Sequence, residues 1–299
     1  VAEEMMREVG PSRIAVAYES LGEVGAPTVL LIMGGGAQLI HWPDEFCAEL
    51  VARELRIVRF DNRDTGRSTH FPTVGTLDFD AVWAGDFSQV PYTLADMAGD
   101  AIGLLDALAV DSAHVVGMSL GGMIAQTMAI EYPARIRSLT SIASTTGDSS
   151  VGESNFAAIG PLGEPPSERA EFIAWQVRAL RAVSGTAFEF DAEAVARRAG
   201  LAFDRGYEPA GMGRQGAAVA AYGDRTARLR ELRLPTLVIH GTADIMIGSS
   251  GGRATAAAIP GAELEIFDGM GHGLPRELWS TIADRIADLV HRTESARAV

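Results

Sequence analysis

Gly117-Met118-Ser119-Leu120-Gly121 sets a serine between two glycines at the spacing Gly-x-Ser-x-Gly. In a chain with 33 glycines the pattern is weak by itself, so its flanks decide. Ala113-His114-Val115-Val116 ahead of it reads as a strand, and Gly122-Met123-Ile124-Ala125-Gln126 behind it opens a helix. A strand that turns sharply into a helix leaves the Ser119 hydroxyl exposed on the bend. A hydroxyl is a poor nucleophile near neutral pH and needs an adjacent base. Where a nucleophile sits on such an elbow, the chain order is nucleophile, acid, histidine.

Six histidines compete for the base: His41, His70, His114, His240, His272 and His291. His272 lies in Asp268-Gly269-Met270-Gly271-His272-Gly273, directly after the last strand candidate, where flanking glycines suit a loop that aims an imidazole. His114 lies inside a strand, His291 near the end of a terminal helix, and His240 at the end of a strand it can simply close. The chain has no lysine, since all 25 basic residues are arginine, which removes lysine Schiff-base chemistry and the phosphate-loop lysine together. His272 is therefore the expected base. The acid belongs after Pro235–His240, where Gly241-Thr242-Ala243-Asp244 supplies Asp244; Asp148 is its rival, and Asp268 is too close in sequence to His272 to be its obvious partner. A tetrahedral oxyanion needs two backbone donors: Leu120 N–H supplies one, and Gly35 in Met33-Gly34-Gly35-Gly36-Ala37 the other. Trp42, His41, Met118 and Met123 flank these loops as candidate substrate contacts, with Met212 and Gln215 further along the chain; ordinary core packing is the alternative for the first four.

These residues need a rigid frame. Short apolar runs at Arg13–Ser20, Thr28–Met33, Arg56–Phe60, Ala113–Gly117, Ile136–Ala143, Pro235–His240 and Glu263–Phe267 alternate with helical patterns. The helices are expected at Pro43–Glu54, Thr93–Ala109, Gly121–Glu131, Gly251–Ile259 and Arg276–His291. That rhythm predicts an α/β fold with a mostly parallel sheet. Thr93 and Asp96 have capping-box spacing. Two stretches depart from the rhythm. Residues 61–92 form a long connection with a short helix expected at Phe79–Trp83. Residues 147–230 carry helical patterns (Ala170–Val183, Ala192–Phe203, Gln215–Tyr222) and no convincing strand. The division expected is a core of residues 1–146 and 231–299 with a helical cap inserted at 147–230.

The chain resembles the α/β-hydrolase superfamily over nearly its whole length and, more narrowly, the actinobacterial group around aclacinomycin methylesterase. The likeness rests on Trp42-Pro43-Asp44-Glu45-Phe46, Asp61-Asn62-Arg63-Asp64-Thr65-Gly66-Arg67-Ser68, the elbow Gly117–Gly122, and Gly269-Met270-Gly271-His272-Gly273-Leu274-Pro275. It implies an α/β-hydrolase fold with a triad of Ser119, Asp244 and His272 and an oxyanion hole at Gly35 and Leu120. It also implies a methyl ester of a bulky polyketide-like acid as substrate. Met33 stands where many superfamily members have histidine, and Asp64 where the wider superfamily often has glycine.

Ester cleavage by this route needs no cofactor and no metal. A lactone hydrolase or a serine-triad perhydrolase would use the same residues, whereas a non-catalytic ligand-binding member would not require them. A net charge of −14 argues against nucleic acid as partner. The longest apolar run that stands out, Val29–Met33, falls far short of the roughly 20 residues of a membrane span. Val1-Ala2-Glu3-Glu4 lacks the apolar core of a secretion signal, so a cytoplasmic protein acting on a small-molecule ester or lactone is expected. Cys47 alone makes no internal disulfide and reads as packing. Asp61, Arg63 and Arg67 either brace their loop or bind a substrate carboxylate. Residues 71–111 carry seven acids and no base, which predicts an approach that disfavours anionic substrates at low salt.

Overall fold

A computed structural model of the chain describes residues 2–71, 77–155, 157 and 162–297. Parts of the long connection (72–76) and of the insertion (156 and 158–161) lie outside the described residues. Eight strands form one sheet: β1 (Glu4–Val9), β2 (Ile14–Leu21), β3 (Thr28–Ile32), β4 (Arg56–Phe60), β5 (Ala113–Met118), β6 (Ile136–Ile142), β7 (Thr236–Gly241) and β8 (Glu263–Phe267). Their spatial order is β1-β2-β4-β3-β5-β6-β7-β8. Only β2 runs against its neighbours; β4, β3 and β5 through β8 are parallel.

The expected strands fall within one residue of these bounds because β3, β4, β5 and β7 are buried along their whole length and read as unbroken apolar or mixed runs. β1 is a strand that the sequence reading did not contain. Its sequence, Glu-Met-Met-Arg-Glu-Val, pairs only with β2 at the sheet edge and stays largely exposed, so it carries no buried face for periodicity to reveal.

Helices α1 (Asp44–Val51) and α10 (Trp279–Arg297) cover one face; α3 (Leu94–Ala107) and α4 (Leu120–Glu131) cover the other, with α9 (Ser249–Ala258). The period of two in a strand divides β3 between them. Leu30 and Ile32 pack with α3 and α4, and Val29 and Leu31 with α1 and α10. The Thr93 N–H donates to the Asp96 carboxylate at 2.7 Å, closing the cap at the start of α3. The short α2 (Phe79–Trp83) starts where the Asp78 side chain accepts the Ala81 N–H. The helix expected at Arg276–His291 begins as a 3-10 turn and continues to Arg297.

Between β6 and β7 the chain forms α5 (Arg169–Val183), α6 (Ala192–Gly206), α7 (Pro209–Tyr222) and a single turn α8 (Thr226–Leu229). Phe172 holds α5 to α6 by ring contacts with Phe203 (5.6 Å) and Tyr207 (4.3 Å). α7 returns to the body and places Ala218 in the main core.

The charges of the 61–92 connection brace it. Buried Arg63 bonds both oxygens of Asp100 at 2.6 and 2.8 Å. Asp64 holds Arg214 of α7 through two bonds of 2.8 Å and accepts the Tyr92 hydroxyl at 2.6 Å. Asp61 accepts the N–H groups of Leu39 and Arg67 and meets Arg205 of α6 at 3.0 Å, while the Arg67 guanidinium bonds Glu3. Of the seven acids in 71–111, Asp100 and Asp106 are paired with Arg63 and Arg135, so the field expected from that stretch is weaker than the sequence count implies.

Truncating Leu31, wholly buried between β4 and β5 and facing α1 and α10, leaves a cavity. Leu31→Ala is expected to lower unfolding free energy in urea by about 2–5 kcal/mol. Leu201→Ala, on the exposed side of α6, should stay within about 0.5 kcal/mol of the parent.

Candidate active site

Ser119 stands between β5 and α4 with φ 55° and ψ −120°, a backbone state that costs a non-glycine residue on the order of 1–3 kcal/mol. The surroundings fix it there. A Cβ on Gly117 would overlap the Gly121 carbonyl, and one on Gly121 would overlap the Ile32 carbonyl, so only glycine lets strand and helix approach this closely. Ser119 N–H donates to Ile142 O at 2.9 Å, and Ser119 O accepts from Gly122 N–H at 2.9 Å and the Ser144 hydroxyl at 2.8 Å. The strained turn is thus tied to β6 on two sides.

His272 Nε2 lies 3.0 Å from Ser119 Oγ, and its Nδ1 lies 2.8 Å from Asp244 Oδ2. An ionised carboxylate can only accept, so the proton sits on Nδ1 and Nε2 is left as acceptor for the serine hydroxyl. Asp244 is buried after β7, and its other oxygen accepts the Met246 and Ile247 N–H groups at 2.9 and 3.0 Å. Burial pushes its acidity towards the neutral form, but hydrogen bonds from His240 and His272 outweigh it and hold the carboxyl down to about 2. The His272 loop is seated on α5: His272 N–H donates to Val183 O at 2.7 Å, and a Cβ on Gly271 would run into that same turn.

The structure brings Ser119, His272 and Asp244 into one hydrogen-bonded chain and sends their rivals elsewhere. The Asp148 carboxylate turns back to Ser150 N–H and hydroxyl at 2.8 and 2.7 Å, and Asp268 accepts the Thr242 hydroxyl. His114 bonds Ser138 and Glu294, His291 bonds Arg53 O, and His70 bonds Gly66 O. The glycine loop after β3 comes up against Ser119: a Cβ on Gly34 would lie 3.2 Å from Ser119 Cβ, and one on Gly35 would lie 3.7 Å from Leu120 Cδ2. Leu120 is the first residue of α4, so its N–H has no partner within the helix.

Among the candidate substrate contacts, Met118 and Met123 are buried beside Ser119, one in each core layer. Trp42 is wholly buried and stacks on Phe46 at 5.8 Å, next to Cys47, whose thiol burial pushes up to about 12. His41 Nδ1 accepts Gln38 N–H at 3.0 Å; burial, helped by Arg198 and Arg205 of α6, lowers it to about 4, so the ring is neutral at pH 7. Met212 packs on Gly36 and is 55% exposed. Gln215 is buried with its amide bonded at both ends to protein: Gly36 N–H on Oε1, and Arg63 O and Thr65 Oγ1 on Nε2, each at 2.8 Å.

Two contributors were not in the sequence reading of the site. His240, read there as closing its strand, shares its Nε2–H between Ile247 O at 2.8 Å and Asp244 Oδ2 at 3.3 Å. Ser144, which holds the Ser119 carbonyl, has no sequence signal, since it lies after a different strand. Among the described residues no three His, Cys, Asp or Glu side chains gather as a metal site, and no helix is long and apolar enough to cross a membrane.

Comparison with known proteins agrees with this geometry at the level of the fold. The family profile described as the alpha/beta hydrolase fold matches residues 27–275. Rhodomycin D methylesterase DnrP of Streptomyces peucetius is 30% identical over 306 residues, covering 94% of this chain and 96% of the relative. A 2-hydroxy-6-oxononadienedioate/2-hydroxy-6-oxononatrienedioate hydrolase of Paraburkholderia xenovorans is 26% identical over 276 residues, covering 88% and 86%. The solved structure of a hydrolase from Pseudomonas aeruginosa PA01 superposes with a TM-score of 0.69 at 25% identity, covering 97% of each chain. With a mostly parallel eight-stranded sheet and the sharp Gly-x-Ser-x-Gly turn between β5 and α4, the chain belongs to the α/β-hydrolase fold family.

Proposed function

We propose that this protein is a carboxylic ester hydrolase acting through a serine acyl-enzyme, with a methyl ester as its substrate. The observation that carries the reading is the chain Ser119 Oγ–His272 Nε2 (3.0 Å) and His272 Nδ1–Asp244 Oδ2 (2.8 Å) on a strained elbow. As Ser119 Oγ attacks the ester carbonyl, its proton passes to His272 Nε2. The Nδ1 proton stays on the imidazole, and the Asp244 carboxylate stabilises the imidazolium. The N–H groups of Gly35 and Leu120 hold the developing oxyanion. His272 then protonates the departing alkoxide, releasing an alcohol, and in the second half accepts a proton from the water that frees the acid. The helices between β6 and β7 act as the cap over this centre. Ester cleavage as the reaction class is supported by the methylesterase relative, whose name also supports the methyl ester.

A fluorophosphonate probe should label Ser119, and Ser119→Ala should abolish both labelling and turnover of short p-nitrophenyl esters, by about 10⁴-fold or more. A wild-type protein that neither labels nor turns over esters would sink the reading. Asp244→Asn should cost on the order of 10⁴-fold in kcat, while Asp148→Asn stays near wild type; the reverse pattern would reassign the acid. Methyl esters assayed against lactones of matched acids should favour the esters.

Asp244 also makes a stability prediction. Its folded pKa of about 2 lies below the ordinary 3.8, so the folded state binds its proton later than the unfolded chain does. The resulting stabilisation, on the order of 2 kcal/mol, is complete above about pH 5 and is lost progressively as pH falls from about 5 to about 1. Urea titrations of wild type and Asp244→Asn should therefore converge across that acid window, and parallel curves would refute the linkage.

A further inference from the structure

We infer that Gln215, on α7, is the positioning residue that locks the oxyanion loop in its working conformation. The inference rests on the oxyanion role proposed above for Gly35. Gly34–Ala37 is a tight turn closed by Ala37 N–H donating to Gly34 O at 3.2 Å. Gly36, its third residue, has φ +65°, while Gly35, its second, is not in the left-handed region, which is the type II pattern. Types I and II differ by rotation of the peptide between the two central residues, the Gly35–Gly36 peptide in this turn. With glycine at both positions no side chain opposes that rotation, so the loop sequence alone does not choose.

Gln215 makes the choice. Its Oε1 accepts the Gly36 N–H, the N–H of that very peptide, at 2.8 Å. The amide cannot turn over, because Nε2 donates at 2.8 Å to Arg63 O, which is only an acceptor, and at 2.8 Å to Thr65 Oγ1. The residue is 1% exposed, so water offers no replacement partner. The helix that carries it is itself seated: neighbouring Arg214 holds Asp64 through two bonds of 2.8 Å, and a Cβ on Gly211 would overlap the Asp64 carbonyl. A flip of the Gly35–Gly36 peptide alone would exchange the directions of the Gly35 carbonyl and the Gly36 N–H beside the Gly35 N–H. Without the Gln215 bond, two adjacent glycines leave ψ of Gly35 and φ of Gly36 free to vary independently, so that the Gly34–Ala37 turn and the Gly35 N–H within it lose a single orientation. Gln215 thus acts through the loop and does not touch the reacting atoms. It contributes a fixed direction for the Gly35 N–H, which is what a preorganised donor requires.

The test compares wild type with Gln215→Met on a methyl ester, together with binding of phenylboronic acid, whose tetrahedral adduct on Ser119 directs an oxygen to the same donors. Expected for Gln215→Met is a fall in kcat on the order of tenfold or more, with KM within about twofold. Boronate affinity should weaken by the same factor as kcat. A purely structural role would lower Tm and leave the ratio of boronate to ester binding unchanged, and that result overturns the inference. So does a rise in KM with kcat intact, which would make Gln215 a substrate contact. If Gln215→Met does not fold, Thr65→Val removes one anchor of Nε2 and leaves Gln215 in place. A smaller, matched loss in kcat and boronate affinity is then expected, and wild-type values for both overturn the inference. A wild-type protein inactive on esters would fail at the earlier step and refute the hydrolase reading instead.

Discussion

The close backbone contact between β5, α4 and β3 is the constraint on which the rest of the site depends. Gly117 and Gly121 allow carbonyl oxygens to lie where any Cβ would collide, and this proximity forces Ser119 into an unfavourable conformation between strand and helix. The strain persists because β6 over-determines the turn: Ile142 O takes the Ser119 N–H, and Ser144 holds the Ser119 carbonyl. The same geometry makes Leu120 the first residue of α4, with no helical partner for its N–H, and brings the loop after β3 so close that a Cβ on Gly34 would crowd Ser119 Cβ at 3.2 Å.

The helices between β6 and β7 are coupled to that centre at several points. Val183 at the end of α5 holds the His272 N–H; Arg205 of α6 pairs with buried Asp61; Arg214 and Gln215 of α7 hold Asp64, Arg63, Thr65 and Gly36. Each of these ties joins a residue of the insertion to a loop at the carboxyl end of a parallel strand. Buried ion pairs such as Asp64–Arg214 are weak evidence for net stability, because desolvation offsets their attraction, but losing one partner strands the other. Their effect is to fix where these helices sit, and so the loops around Ser119 and His272 are held by residues up to 179 positions away in sequence.

Legibility in the sequence followed burial. Strands enclosed on both faces, such as Val29–Ile32 and Arg56–Phe60, announce themselves because every position selects for packing. The edge strand Glu4–Val9 does not, because its pairing is a backbone matter and most of its side chains, Val9 and Met6 excepted, face water. The positions of Ser119, Asp244 and His272 could be read because their chain order and glycine surroundings are local features. Gln215 could be singled out but not understood: its partners Gly36, Arg63 and Thr65 lie in two other loops, and no local pattern says that its amide meets them. Trp42 shows the same limit, since an aromatic residue beside a site loop reads alike whether it faces a substrate or, as the structure has it, stacks on Phe46 in the core.

By itself, then, the sequence determined the fold family, the order of the chemical groups and the exclusion of lysine chemistry, all of which follow from residue type and spacing along the chain. Only the tertiary structure decided that His240 stands behind Asp244, that Ser144 holds the Ser119 carbonyl, and which way the Gly35–Gly36 peptide points. Those outcomes depend on distances of about 3 Å between segments far apart in sequence, and hydrogen bonds of that length exist only once the sheet and the inserted helices have packed.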